Sequence, residues 1–195
     1  MQEVTSVQGL SVKNKTIKDV EAFLVYRQNV RIVPDGINKF FPNLKVLVIE
    51  NSELDSFNQV NKLKKLKYLN LQYNKIEALY NDSFYGLQKL EKIFMSGNKI
   101  RKIETETFSN LMNLKLLSLN DNMLHKINEN LFRSNPMLAS LRFSNNQLNK
   151  INVEIFRPLK KLIELNFSGN RCIDDSYPLT ISILSEFLNL IDKNC

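Results

Sequence analysis

The chain has 195 residues, of which 43% are hydrophobic and 24% charged, so it can bury a core and disorder is not expected. It carries 27 Lys and Arg against 20 Asp and Glu, and the net charge of +7 favours acidic partners weakly. A single histidine and two cysteines exclude a zinc site built from several His and Cys ligands, and no apolar run reaches the length of a membrane span. The first residues have neither a basic start nor an apolar stretch, so we expect no signal peptide within this chain.

One pattern recurs along the chain with a period of 24 residues, and three separate columns share it. The unit reads LxxLxLxxNxLxxLxxxxFxxLxx, and its clearest copy begins at position 1 with Leu66. A shorter unit of 22 residues begins at Leu44 with Ser52 in the Asn column, a degenerate one begins at Val20, and a seventh begins at Leu162. The three columns are Leu66, Leu90, Leu114, Leu138 and Leu162; Asn74, Asn98, Asn122, Asn146 and Asn170; and Phe84, Phe108, Phe132 and Phe156.

This unit resembles the leucine-rich repeat over residues 20–172. Its 24-residue form is similar to the extracellular class found in Toll-like receptors, Slit and small proteoglycans. The segment Val30–Leu44 is similar to small secreted leucine-rich repeat proteins of flies and midges. The resemblance implies an α/β fold, a right-handed horseshoe solenoid with a concave parallel β-sheet, an irregular convex side and a C-terminal helical cap.

We expect a single domain with caps at both ends of the array. Residues 1–19 form the N-terminal cap, residues 20–171 form about six to seven repeats, and residues 172–195 form the C-terminal cap. The last segment has one apolar helical face that starts after Pro178, and Cys172 and Cys195 lie on either side of it. Similar caps of extracellular relatives contain cysteines, so we expect a disulfide between these two. In a cytosolic protein they would instead be free thiols.

The Asn column predicts a structural ladder. An Asn at position 9 ends each short strand, where the bend leaves backbone N–H and C=O groups buried between coils. Because the amide has donors and an acceptor, one side chain can satisfy groups on both sides. Loss of one such Asn is expected to cost about 1–3 kcal/mol.

Strand alternation turns positions 3 and 5 of each unit away from the core, and we call these positions the concave face. The first five units place apolar residues there, whereas the last two place only polar or charged ones, such as Ser140, Arg142 and Glu164. Exposed apolar groups on adjacent strands are typical of interaction sites. We therefore expect a protein partner to contact this set: Leu24, Val46, Val48, Tyr68, Phe94 and Leu116.

A second surface is basic. Position 13 is lysine in three successive units, and two further lysines stand at position 10 of neighbouring units. Such columns can bind sulfated glycans or acidic proteins, or they can be plain solvated lysines. Interleaved aromatic residues and known DNA-reading motifs are missing, so we expect no nucleic acid. The candidate anion-binding residues are Lys75, Lys99, Lys102, Lys126 and Lys150.

No catalytic set is present in the sequence, and we expect no enzyme activity, cofactor or metal. The single His125 follows a strand turn without a second histidine or a nearby cysteine, so neither a triad nor a metal site can be built on it. Three N-glycosylation sequons, at Asn14, Asn81 and Asn166, support secretion. The sequence thus predicts a secreted recognition module that binds a protein through its concave face. The alternatives are a matrix protein that binds anionic glycans and a cytosolic inhibitor or adaptor.

Overall fold

The computed structural model describes residues 16–172, which form a solenoid of parallel coils. Each coil contributes one short strand to a common sheet, and two coils add a second strand that belongs to a separate pair. The strands are β1 (Ala22–Tyr26), β2 (Val46–Glu50), β3 (Tyr68–Asn70), β4 (Ala78–Leu79), β5 (Lys92–Phe94), β6 (Lys102–Ile103), β7 (Leu116–Ser118), β8 (Ser140–Arg142) and β9 (Glu164–Asn166). The helical segments are short: α1 (Ile37–Phe40) and three 3₁₀ turns at Ile17–Asp19, Asn58–Lys62 and Val153–Phe156.

The solenoid expected from the repeat is confirmed. Seven parallel strands pair in the order β1-β2-β3-β5-β7-β8-β9, and a second parallel pair joins β4 to β6. Partners in the sheet stand one repeat apart, as in the column Leu69, Ile93 and Leu117. The expected C-terminal helix, Cys195, Asn14 and most of the N-terminal cap lie outside the described residues.

The core is a continuous column of repeat positions. The leucines at position 1, such as Leu66, Leu90 and Leu114, are fully buried, and the phenylalanines at position 19 stack along the solenoid. The ring centroids of Phe84 and Phe108 are 5.6 Å apart with nearly parallel planes. Each coil therefore buries its apolar edge only against its neighbours, as expected for a quasi-one-dimensional fold.

The asparagines at position 9 form the ladder, with Asn122 as a representative member. Its Oδ1 accepts a hydrogen bond of 3.0 Å from the backbone N–H of Ile100 in the preceding coil. Its Nδ2 donates to the carbonyl oxygens of Met95 and Leu119, at 3.1 Å each. All five ladder asparagines are at most 7% exposed. Each one therefore ties its own strand end to the preceding coil.

A second backbone column, at position 8, was not expected from the repeat pattern. The residue just before the ladder position adopts a left-handed backbone conformation in all seven units, although most of these residues are not glycine. The φ angles are 52° for Arg27, 53° for Asn51, 54° for Tyr73, 69° for Gly97, 54° for Asp121, 54° for Asn145 and 65° for Gly169. The bend that follows each strand therefore depends on this conformation as well as on the asparagine.

Candidate protein-interaction surface

The sheet register brings the concave-face positions of successive units side by side. Position 3 forms one row across the seven strands: Ala22, Val46, Tyr68, Lys92, Leu116, Ser140 and Glu164. Position 5 forms the parallel row: Leu24, Val48, Asn70, Phe94, Ser118, Arg142 and Asn166. Both rows alternate with buried core residues along each strand, because strand side chains point to opposite faces.

Aromatic and aliphatic side chains occupy the N-terminal half of this face. The rings of Tyr68 and Phe94 lie 5.2 Å apart, centroid to centroid, with a tilt of 36°. Leu24 is 52% exposed and Tyr26 is 51% exposed at the start of the sheet. Burial raises the pKa of Tyr68, and the nearby Tyr26 and Glu50 raise it further. The phenol of Tyr68 therefore stays neutral and suits a largely apolar contact.

Sequence reasoning missed Tyr26 because it considered only positions 3 and 5. Tyr26 stands at position 7, at the end of β1, and it is near enough to Tyr68, two strands away, to raise the pKa of that phenol. Tyr73 at position 8 is also exposed, at 53%. Aromatic residues two or three places after position 5 were the signal that could have identified both. We call Leu24, Tyr26, Tyr68, Phe94 and Leu116 the aromatic cluster.

The exposure expected for Val48 is wrong. The side chain lies on the concave face, but only 4% of it is exposed. In the sheet register it stands between Leu24 and Asn70, and a hydrogen bond of 3.1 Å from Asn70 Nδ2 to Glu50 Oε2 passes beside it. Because Val48 is small, its larger neighbours cover it. It therefore packs beneath the face and is not accessible to a partner. Val46 and Leu116 are half-buried.

One cation stands within the aromatic cluster. Lys92 is exposed and lies between Tyr68 and Leu116 in the sheet register. Its side chain makes no ion pair or hydrogen bond with any residue between 16 and 172. The N-terminal half of the concave face therefore combines apolar rings with the Lys92 ammonium and with the Glu50 carboxylate, which lies near Tyr68 and accepts a hydrogen bond from Asn70.

In the C-terminal half of the face, the polar side chains form hydrogen bonds with one another. Arg142 holds Glu164 through two hydrogen bonds, from Nε to Oε1 at 2.6 Å and from Nη2 to Oε2 at 3.0 Å. Ser140 donates a third bond of 2.8 Å to Glu164 Oε2. The hydrogen bond from Arg142 lowers the pKa of Glu164, and Ser140 adds to the effect although partial burial opposes it. These groups already satisfy one another, so they have less to offer a partner.

The predicted basic residues divide into two sets. Lys102, Lys126 and Lys150 line one open groove of about 690 Å³, which we call the flank groove. Lys75 and Lys99 are not among its lining residues, and Lys75 pairs with Glu53 at 2.9 Å. The structure therefore brings the position 13 lysines together and leaves the position 10 lysines outside their groove.

Two of the three sequons lie within the described residues. Asn81 is exposed, and its Oδ1 accepts a hydrogen bond of 2.9 Å from the backbone N–H of Glu106. Asn166 lies on the concave face, and its Oδ1 accepts a hydrogen bond of 2.8 Å from the hydroxyl of Ser168. The Nδ2 atom, which would carry a glycan, forms no hydrogen bond with the described part of the chain at either position.

Other candidate chemistry is limited. Across residues 16–172, no three His, Cys, Asp or Glu side chains are grouped so that they could hold a metal ion. His125 is exposed. Over the same residues, we find no helix with the length and apolar character that a membrane crossing requires. The Cys172–Cys195 disulfide stays a prediction, because Cys195 lies outside the described residues.

Comparison with known proteins identifies the family. A family model described as "Leucine rich repeat" matches residues 42–100 and 96–148, which together span more than half of the chain. The chain therefore belongs to the leucine-rich repeat family. We expected a similarity to insect proteins from the segment Val30–Leu44. This match does not show that similarity. No curated protein matches the chain.

Solved structures share the fold. A leucine-rich repeat protein of Leptospira interrogans matches with a TM-score of 0.65 and 26% identity, covering 90% of this chain and 48% of that one. TLR13, solved as a complex with ssRNA13, matches with a TM-score of 0.67 and 22% identity over 80% of this chain and 26% of that one. The LRIM1/APL1C complex matches with a TM-score of 0.67 and 20% identity over 73% of this chain and 27% of that one. This chain thus spans less than half of the length of each solved chain.

Proposed function

We propose that this chain is a secreted, non-enzymatic recognition module that binds a protein partner through the aromatic cluster of its concave face. The observation that carries the proposal is the contrast between the two halves of one sheet. Rings and aliphatic side chains around Tyr68 and Phe94 remain partly exposed, whereas Arg142 and Glu164 neutralise each other. Tyr and Phe are enriched where binding energy concentrates in protein interfaces.

The chemistry of the face defines the partner segment. Among residues 16–172, Lys92 has no ion-pair partner, and it lies beside Tyr68 in the sheet register and on the same strand as Phe94. A matching segment would place apolar side chains on the rings and a carboxylate on the Lys92 ammonium. An acidic residue within a hydrophobic segment meets both requirements, and the net charge of +7 favours approach of such a partner.

Secretion is supported by separate features. The exposed sequon at Asn81 and the cysteine pair at the end of the array are typical of chains that fold in an oxidising compartment. Thiol titration of native, unreduced protein tests this part of the proposal. We expect no reactive thiol, and two alkylated cysteines would favour the cytosolic adaptor instead.

A library of random displayed peptides tests the proposed surface, because it presents many combinations of apolar and charged residues at once. Peptides are selected on the immobilised chain and then counter-screened on the Phe94→Ala and Lys92→Glu variants. We expect selected peptides to contain apolar and acidic residues and to lose binding on both variants. The Glu154→Gln variant is the matched control, since Glu154 is exposed and lies in the 3₁₀ turn at Val153–Phe156. Peptides that bind all three variants equally would contradict the proposed surface.

A further inference from the structure

The flank groove is a surface separate from the concave face. Its lining residues come from unit positions 12–16 of successive coils, so the groove crosses the repeats instead of following one strand. Its volume is about 690 Å³, and it is open along its length. Because neighbouring coils lie roughly 4.8 Å apart, residues at one position form a regular row across it.

The acidic groups of this groove are already engaged by its other side chains and backbone. Glu104 pairs with Lys102 at 2.9 Å and also accepts a hydrogen bond of 3.0 Å from the backbone N–H of Asn81. Glu129 accepts a hydrogen bond from Nδ2 of Asn152. Both carboxylates therefore have partners other than the remaining cations of the groove.

Those remaining cations are without a direct partner. Within residues 16–172, the side chains of Arg101, Lys126 and Lys150 form neither an ion pair nor a hydrogen bond. Three positive groups therefore face the same open groove and are free to contact an anionic ligand.

Uncharged groups in the groove have the hydrogen-bonding and apolar character that suits a sugar ring. The hydroxyl of Thr105 and the Nδ2 of Asn128 have no hydrogen-bond partner among the described residues, although Asn128 Oδ1 accepts a bond of 2.9 Å from the backbone N–H of Asn130. Ile103 and Ile127 back the groove and pack against the core. Hydroxyl and amide groups can hydrogen-bond to sugar hydroxyls, and the isoleucines offer an apolar surface to ring C–H groups.

The same lining argues against a nucleic acid. Proteins that bind single strands stack successive bases on aromatic side chains. Within residues 16–172, no aromatic side chain lines the groove itself. The exposed ring of Tyr80, 5.9 Å from Lys102 Nζ, lies beside it and offers one ring rather than a series for stacking. We propose that the flank groove binds a sulfated polysaccharide, with sulfates on Arg101, Lys126 and Lys150 and sugar hydroxyls on Thr105 and Asn128. This goes beyond the proposed function, because it uses a different surface and a different class of ligand.

Heparin is the probe, and its affinity for the chain is measured at graded salt. The Lys126→Ala/Lys150→Ala variant should bind at least about tenfold more weakly, because two charge-assisted contacts are lost. The slope of log Kd against log salt should also fall by about two, one displaced counterion for each lysine. The matched control is Lys39→Ala/Lys89→Ala, which removes the same charge from exposed lysines that do not line the groove. It should retain most of the affinity.

Two further measurements separate a sugar site from charge alone. Thr105→Val keeps the charge and should weaken heparin binding by about threefold without a change in the salt slope. A single-stranded oligodeoxynucleotide should bind the unmodified chain more weakly than heparin does. Equal losses for both lysine pairs would overturn the proposal, because net charge would then explain binding. Tighter binding of the oligonucleotide with the same dependence on Lys126 and Lys150 would also overturn it.

Discussion

The ring of Tyr73 occupies the space into which a side chain at Gly97, one repeat further along the solenoid, would extend. A β-carbon built on Gly97 would be only 2.4 Å from Cδ1 of Tyr73. Both residues stand at position 8, where the backbone is left-handed, with φ of 54° for Tyr73 and 69° for Gly97. Glycine at the second position leaves space for the ring and adopts the left-handed conformation without strain, although other units hold the same conformation with residues such as Tyr73.

Gly97→Ala should destabilise the chain by about 2–5 kcal/mol, since the left-handed conformation costs about 1–2 and overpacking about 1–3 kcal/mol. The measurement is urea unfolding of a double-mutant cycle with Tyr73→Ala. Removal of the ring should recover the steric part and leave the backbone part. If Gly97→Ala costs the same with and without the Tyr73 ring, the contact does not constrain this position.

Asn122→Ala should cost about 1–3 kcal/mol of unfolding free energy, because the N–H of Ile100 and two carbonyl groups lose their buried partner. His125→Ala is the control three residues later, and its exposed side chain should contribute almost nothing. Urea melts of both variants make the comparison. Equal losses would place the ladder in a different register.

Asn135→Leu should leave stability unchanged or raise it. Asn135 is fully buried, and its Oδ1 has no hydrogen-bond partner among residues 16–172, whereas its Nδ2 donates to the carbonyl oxygens of Phe108 and Leu111. Those carbonyls also accept backbone bonds from Leu111 and Leu114, so they stay satisfied without the amide. Leucine is the residue at the equivalent position of neighbouring units, such as Leu111 and Leu159.

Thermal unfolding of the Asn135→Leu and Asn135→Ala variants tests this. Alanine leaves a cavity and should destabilise, by up to a few kcal/mol. A loss for leucine as large as that for alanine would mean that the two amide hydrogen bonds outweigh the unsatisfied oxygen.

Glu164→Gln should destabilise the chain at neutral pH but not in acid. The bond from Arg142 lowers the pKa of Glu164, so the ionised carboxylate stabilises the fold above its ordinary pKa, and this contribution is lost as the pH falls through the lowered pKa. Both side chains are partly exposed, so the difference should be no more than about 1 kcal/mol. Unfolding free energies of both proteins across the acid range provide the test. A difference that persists in strong acid would show that the charge is not its source.

Much of the fold could be predicted from spacing alone. The columns that contain Leu114, Asn122 and Phe132 share one period, and each residue type has a physical reason to occupy its position in a stacked coil. The ladder is predictable because Asn carries both donors and an acceptor, and the coil boundary needs both.

The left-handed backbone conformation at position 8 was harder to predict from the sequence. Gly97, Gly169 and Asn145 carry the usual signal for positive φ, but Arg27 and Tyr73 share the conformation without it. In the unit of Tyr73 the hydrogen bonds of Asn74 hold the bend, whereas the unit of Arg27 carries Gln28 at the ladder position. The signal becomes visible only when position 8 is compared across all units.

The candidate surface was predicted only in part. Alternation correctly places Tyr68 and Phe94 on one face, but it cannot show how neighbouring side chains cover one another. Val48 is buried for this reason. Tyr26 is exposed near Tyr68, although it stands at position 7 and alternation at positions 3 and 5 does not include it. What remains exposed depends on the size and orientation of each side chain, and the repeat period predicts neither.

The most direct test of the central claim is the affinity of a peptide selected on this chain for four single variants. We predict that Tyr68→Ala and Phe94→Ala weaken binding at least about tenfold, because buried aromatic anchors contribute a few kcal/mol. Arg142→Ala and Glu164→Ala should change affinity by less than about threefold, since those two side chains already satisfy each other. If Arg142→Ala and Glu164→Ala abolish binding while the two aromatic variants retain it, recognition does not depend on the aromatic cluster and the account is contradicted.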